Sequence, residues 1–341
     1  MEAWDASEAR AASAGLAGAA YGTGDEAETS TGGVRSAAGE DLSEALAEAL
    51  YGLGVLAAAQ GDLEAARRST ERSLAVCERR GDRERVGALL NHLGVIALNA
   101  GDFEAAAAWL REALAVRLEV GDERGRAATL NNLGAVAGRQ GDVAAAKRYY
   151  EESLATFRRL DAGTAVAITL GNLGDVAEYE GDLPTAKARY DESLALHRQL
   201  GNEPYVAFSL VRLAALARRC GDADSAWSLG AEALQTLRDL GDLAGAAECL
   251  NELALVMAGT GRHEPAAVAW GAMSVLLERA GAPLQPSLRA EHDAAVAAAR
   301  EAAGPAAFEA AWERGRRLTL DAAVAFALEA SGTAREGTRR D

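Results

Sequence analysis

Glycine recurs every twenty residues along most of this chain, at Gly61, Gly81, Gly101, Gly121, Gly141, Gly181, Gly201, Gly221, Gly241, Gly261 and Gly281. Aspartate follows it at Asp62, Asp82, Asp102, Asp122, Asp142, Asp182, Asp222 and Asp242, and asparagine does so at Asn202. Glycine takes the left-handed conformation that ends a helix, and an Asp or Asn behind it caps the exposed amides of the next one. So short a junction turns neighbouring helices antiparallel. Between the marks the apolar residues keep helical spacing: Leu130, Leu133, Val136 and Ala137 return as Leu170, Leu173, Val176 and Ala177. The prediction is an all-α chain in which helices of about eighteen residues pair into six repeats over residues 42–281. The mark fails at Leu160-Asp161-Ala162-Gly163, where the glycine is displaced by two positions and a slightly distorted turn is expected.

Composition agrees. Alanine and leucine dominate, aromatics make up 5% and only six prolines occur, which suits packed helices and argues against sheet. The formal net charge of -16 repels nucleic-acid phosphates, so direct nucleic-acid binding is not expected. Cys77, Cys220 and Cys249 are odd in number and widely spaced, which argues against a disulfide framework and fits a reducing cytoplasm. The first residues, MEAWDASEAR, lack the apolar core of a signal peptide, and no window approaches the roughly 18 apolar residues of a membrane span. Residues 1–41 carry eight acidic and two basic side chains and are expected to be largely disordered. Residues 282–330 are expected to form capping helices, with helix starts at Pro286, Pro305 and Leu320, and residues 331–341 a disordered tail.

Within the repeats, Leu-Gly stands at Leu53-Gly54, Leu93-Gly94, Leu133-Gly134 and Leu173-Gly174, and softens to Leu213-Ala214 and Leu253-Ala254. The second helix carries alanine each time, at Ala66, Ala106, Ala146, Ala186, Ala226 and Ala266. A side chain larger than methyl there would hold the paired helices apart, at a cost of roughly 1–3 kcal/mol. This pattern resembles the tetratricopeptide repeat, in the forty-residue form of the kinesin light chain and LGN variants. The resemblance implies a right-handed α-solenoid of about six antiparallel helix pairs, closed by the C-terminal helical cap. The segment at 308–328, FEAAWERGRRLTLDAAVAFAL, resembles the end of the repeat sensor region of actinobacterial STAND-class regulators. The chain departs from those regulators in having no GxxxxGK[ST], so nucleotide hydrolysis does not carry over.

In the tetratricopeptide family the first helix of each pair lines a concave groove in which ligands lie. Carried onto this sequence, that implies a peptide-binding groove at Asn91, Asn99, Asn131, Arg139, Asp175, Tyr179, Arg219 and Asn251. Asparagine offers both donor and acceptor to the backbone of an extended peptide, and arginine pairs with carboxylates. Asn132 and Asn172, one position later, are expected to face the neighbouring repeat or solvent. Trp109, Tyr149, Tyr150, Tyr190, Trp227 and Trp270 fall at packing positions of second helices.

For catalysis the residues offer little. His92, His197, His263 and His292 are isolated in sequence, and neither HExxH nor GxSxG occurs. No cofactor or metal is expected. The expectation is a non-catalytic scaffold that binds a protein or peptide in regulation or assembly. Two alternatives stand beside it: the ligand-sensing part of a STAND-type transcriptional regulator, and an enzyme or accessory protein of a biosynthetic pathway. The sequence does not fix the oligomeric state.

Overall fold

A computed structural model describes residues 42–284 and 286–337. The expectations for residues 1–41 and for the last residues of the tail therefore lie outside the described residues. Among the described residues there are fifteen helices and no strand. The paired helices are α1 (Leu42–Ala59) with α2 (Leu63–Arg80), α3 (Arg83–Asn99) with α4 (Phe103–Val120), and α5 (Glu123–Arg139) with α6 (Val143–Arg159). Next come α7 (Gly163–Tyr179) with α8 (Leu183–Gln199), α9 (Glu203–Arg219) with α10 (Ala223–Leu240), and α11 (Leu243–Gly259) with α12 (His263–Ala280). Three further helices follow, α13 (Pro286–Ala303), α14 (Pro305–Arg316) and α15 (Leu320–Gly337). The chain divides into two compact units, one ending at Val176 and the other beginning at Ala177.

The junction at Gly141-Asp142 shows why the helices end where they do. Gly141 sits at φ +80°, its N–H donates to Gly138 O and the Asp142 N–H reaches back to Ala137 O at 2.9 Å. The Asp142 carboxylate then accepts from the Ala145 N–H at 2.9 Å and starts α6. Asp161 corrects the expectation of a distorted turn. It takes the glycine's place with φ +53°, and the Ala162 N–H still closes on Phe157 O at 3.0 Å. A short polar side chain tolerates that conformation better than most, at a cost near 1 kcal/mol. Two other junctions, at Asn202 and Arg262, keep the turn but make no side-chain cap bond.

In the N-terminal unit the pairs close on small residues. Ala66, Ala106 and Ala146 are 1% exposed or less. A methyl on Gly94 would lie 2.5 Å from Leu110 Cγ, and one on Gly134 would lie 2.6 Å from the Tyr150 ring. Leu50, Leu74, Leu90 and Leu93 form one apolar layer, and Leu98, Leu110, Leu133 and Val136 the next.

The C-terminal unit has one continuous core from Ala177 to Ala327, with Tyr190, Trp270 and Phe308 fully buried in it. The helix α14 lies against α12 at a pair of glycines. A methyl on Gly271 would stand 2.2 Å from the Trp312 carbonyl oxygen, and one on Gly315 would stand 2.0 Å from that of Val268. No larger residue fits that crossing. The helix α13 packs on α11 and α12, and α15 on α10 and α12. The last helix extends to Gly337, beyond the end expected near residue 330, and no proline interrupts it.

Candidate functional site

The first helices of the pairs carry the expected contact residues, and burial sorts these into two groups. Asn91 on α3 is 5% exposed and Asn131 on α5 is 4% exposed. The Asn91 side-chain oxygen accepts from Asn132 Nδ2 at 3.0 Å, and that of Asn131 accepts from Asn172 Nδ2 at 3.1 Å. Both bonds join residues forty-one apart, so each links one first helix to the next. A buried amide bonded in this way braces the stack. Asn132 and Asn172 do face the neighbouring repeat, as expected. What sequence reasoning missed is that Asn91 and Asn131 are the acceptors they face, so these two do not form an open ladder for a ligand.

Asn251 on α11 repeats the arrangement with different donors. Its oxygen accepts from Trp270 Nε1 at 3.0 Å and lies 2.8 Å from His292 Nδ1, forty-one residues on. That contact requires the His292 proton on Nδ1. Burial holds the ring below its ordinary pKa, against a smaller upward pull from Asp293. The Trp270 and His292 rings meet edge to face at 5.7 Å. Asn251 has no exposed surface and so is corrected from ligand contact to internal link between α11, α12 and α13. Asp175 on α7 is also buried.

The remaining four expected residues are accessible or half-buried, and they share one position. Asn99, Arg139, Tyr179 and Arg219 are the last residues of α3, α5, α7 and α9. In the N-terminal unit Asn99 is exposed and Arg139 is half-buried. In the C-terminal unit Tyr179 is exposed, and so is Arg219, which pairs with the buried carboxylate of Glu178. Glu178 also accepts from the Tyr190 hydroxyl at 2.8 Å. The adjacent Arg218 is more deeply held: its Nε meets Glu252 at 3.0 Å, and its two terminal nitrogens meet Glu291 at 2.7 and 3.1 Å. Burial works against the Arg218 charge, and Glu252 and Glu291 more than offset it, so its pKa is raised. This ion cluster ties α9 to α11 and α13.

Of the groups that invite a catalytic reading, His92, His197, His292, Cys77 and Cys249 are buried, whereas His263 is half-buried and Cys220 exposed. Burial pulls His92 down to about 4, and burial with the nearby Arg212 charge does the same to His197. Burial pushes the Cys249 and Cys77 thiols up, away from the reactive thiolate. Among the described residues no three His, Cys, Asp or Glu side chains gather where a metal ion would sit, and no helix is long and apolar enough to cross a membrane. Tyr150, Tyr190 and Trp270 are buried in their cores, and Trp109, Tyr149 and Trp227 pack partly buried beside them.

The profile of the tetratricopeptide repeat matches residues 45–119 and 125–199. Among solved structures, BtubC (BKLC) from P. vanneervenii is 21% identical, over 70% of this chain and 92% of its own, with a TM-score of 0.51. Aspartyl phosphate phosphatase F from Bacillus subtilis is 12% identical, over 82% of this chain and 72% of its own, with a TM-score of 0.62. A Rap protein complexed with Competence and Sporulation Factor is 15% identical, over 82% of this chain and 75% of its own, with a TM-score of 0.61. At these identities the likeness is one of fold. No curated protein matches the chain.

Proposed function

Because the chain is a tetratricopeptide-repeat protein, we propose that it is a non-catalytic scaffold that holds a protein or peptide segment, in regulation or complex assembly. The observation that carries this reading is the split in burial along the first helices. Their middle turns spend Asn91, Asn131 and Asn251 on bonds inside the protein. Their ends present Asn99 and Arg139 in one unit, and Tyr179 and Arg219 in the other. Within each unit such a residue stands at the ends of two successive first helices, which suits an extended segment that meets them in order. One solved structure of similar fold was obtained with Competence and Sporulation Factor bound, which supports a fold of this kind holding a separate molecule. The long-range field of a chain with net charge -16 favours partners of basic character and disfavours nucleic acid. Three unpaired cysteines suit a reducing cytoplasm.

The test is affinity capture from the native cell extract with the wild-type chain beside an Asn99→Ala/Arg139→Ala variant. A partner retained by wild type and lost by the variant, with equal thermal stability, supports the reading. Equal retention by both moves the interface elsewhere, and a small molecule retained in place of any protein contradicts the scaffold.

A further inference from the structure

Among the described residues three histidines are buried, and one of them makes no hydrogen bond. His92 Nδ1 lies 3.4 Å from Thr70 Oγ1, and His292 Nδ1 lies 2.8 Å from the Asn251 oxygen. His197, in the last turn of α8, is 2% exposed, and its buried Nδ1 has no partner among the described residues. The neighbouring repeats hold Phe157 and Leu237 at the same position, both buried. A titratable ring thus stands where those repeats place an apolar side chain.

The contact between α8 and α9 closes on that ring. Tyr205, in the first turn of α9, stacks on it at 4.9 Å with the planes 15° apart. Arg212 of α9 lies over the Tyr190 and Phe208 rings, and burial followed by the Arg212 charge keeps His197 neutral. The acids around it are engaged with other groups. Glu178 of α7 is bonded to Tyr190 and Arg219, and Glu232 of α10 to Arg198. On α8 itself Asp191 and Glu192 pair with Lys187 and Arg189, and Glu203 of α9 is exposed. The junction that joins the two helices is also less tied than its counterparts. Asp82, Asp122 and Asp242 each accept from the amide three residues on, whereas Asn202 at the same place makes no side-chain cap bond.

We propose that the α8–α9 contact is an acid-sensitive hinge, triggered by His197. Protonation adds an N–H at Nδ1, where no acceptor stands, and sets a second positive charge near Arg212 inside the core. The Tyr205 face attracts a cation, yet it offers Nδ1 no acceptor. The proton is therefore held when the ring reaches water, which requires α9 to swing off α8. Repeat arrays open locally in this way. His92 and His292 differ, because each keeps an oxygen acceptor at Nδ1 when protonated. The trigger lies inside a helix contact and not at the exposed helix ends, so the inference stands independently of the partner reading.

With the ring at 6.5 in the open form and at about 4 in the closed one, the open population rises about twentyfold between pH 7 and pH 5. The test is hydrogen exchange of the full chain, read by mass spectrometry at both pH values and corrected for intrinsic exchange. The α8 and α9 amides should lose protection about twentyfold, while those of α5 and α6, which carry no histidine, keep theirs. His197→Phe keeps a ring against Tyr205, matches the residue of the preceding repeat and cannot ionise, so it should abolish the loss. Proton NMR of the His197 ring in wild type gives a reading that does not depend on how the variant folds: titration below pH 5 is expected. Equal protection of α8 and α9 at the two pH values overturns the proposal. So does a loss that survives His197→Phe, or a His197 ring that titrates near 6.5 in the folded chain.

Discussion

Replacing Asn131 by alanine separates a bracing asparagine from a ligand clamp. In the native state the Asn131 oxygen accepts from Asn172 Nδ2 at 3.1 Å, and both side chains are 4% exposed or less. The other end of that amide, Asn172 Oδ1, already has no partner, so Nδ2 is the end that satisfies the buried Asn172. Removing the acceptor leaves a buried donor without a bond, which costs about 1–3 kcal/mol. Removing both partners together costs less than the sum, because no stranded donor remains. The assay is urea unfolding of wild type, Asn131→Ala, Asn172→Leu and the double variant, followed by hydrogen exchange of the α5 and α7 amides. The exchange readout is needed because repeat arrays open locally and a single global midpoint can hide the effect. The expected coupling between the two sites is on the order of 1 kcal/mol, with faster exchange confined to α5, α7 and their neighbours. A cost for Asn131→Ala below about 0.3 kcal/mol, with no coupling to Asn172, would refute the bracing role and return Asn131 to the list of ligand contacts.

Other perturbations test other links. Gly271→Ala or Gly315→Ala places a methyl about 2 Å from a backbone carbonyl, so α12 and α14 must separate; each should destabilise the C-terminal unit by roughly 1–3 kcal/mol, read as a lowered melting temperature. Asp161→Gly relieves a left-handed aspartate and should raise stability by about 1 kcal/mol, and a loss would mean that the carboxylate does more than occupy the turn. His92 and His197 titrate near 6.5 when unfolded and near 4 when folded, so the unfolded chain takes up their protons first. The stability they support is complete above pH 6.5 and is lost as pH falls towards 4, by up to roughly 3 kcal/mol per group. His92→Gln should flatten that part of the urea-midpoint profile between pH 7 and 4.5; an unchanged slope would contradict it.

The repeat architecture is legible in the sequence because its determinants are local. A glycine that must be left-handed and an aspartate that must accept three residues ahead, as at Gly141 and Asp142, fix a turn whatever surrounds it. The interhelix alanines are nearly as local, since their small size has one explanation. Asp161 shows the limit of such reading: the turn geometry persisted where its usual residue did not. The candidate site was less legible because it depends on the register between repeats. Asn91 and Asn99 lie on one helix, yet one is buried and the other exposed. The signal that distinguishes them is a spacing of forty-one: Asn91 with Asn132, Asn131 with Asn172, and Asn251 with His292. A forty-residue repeat with a one-residue offset produces those pairs, and the residues can be read off the sequence once the offset is known. The packing of α14 at Gly271 and Gly315 left no comparable trace, since two distant glycines announce no contact.

The central claim is that a partner is held at the ends of the first helices. Site-specific photo-crosslinking tests it most directly. A photoreactive residue is placed at Asn99, the exposed last residue of α3, and separately at Glu112, an exposed residue of the second helix α4. Both chains are irradiated in native cell extract and compared by mass spectrometry. The account predicts one protein or peptide joined at position 99 and absent at position 112. Crosslinks at position 112 alone would place binding on the second helices and contradict the account.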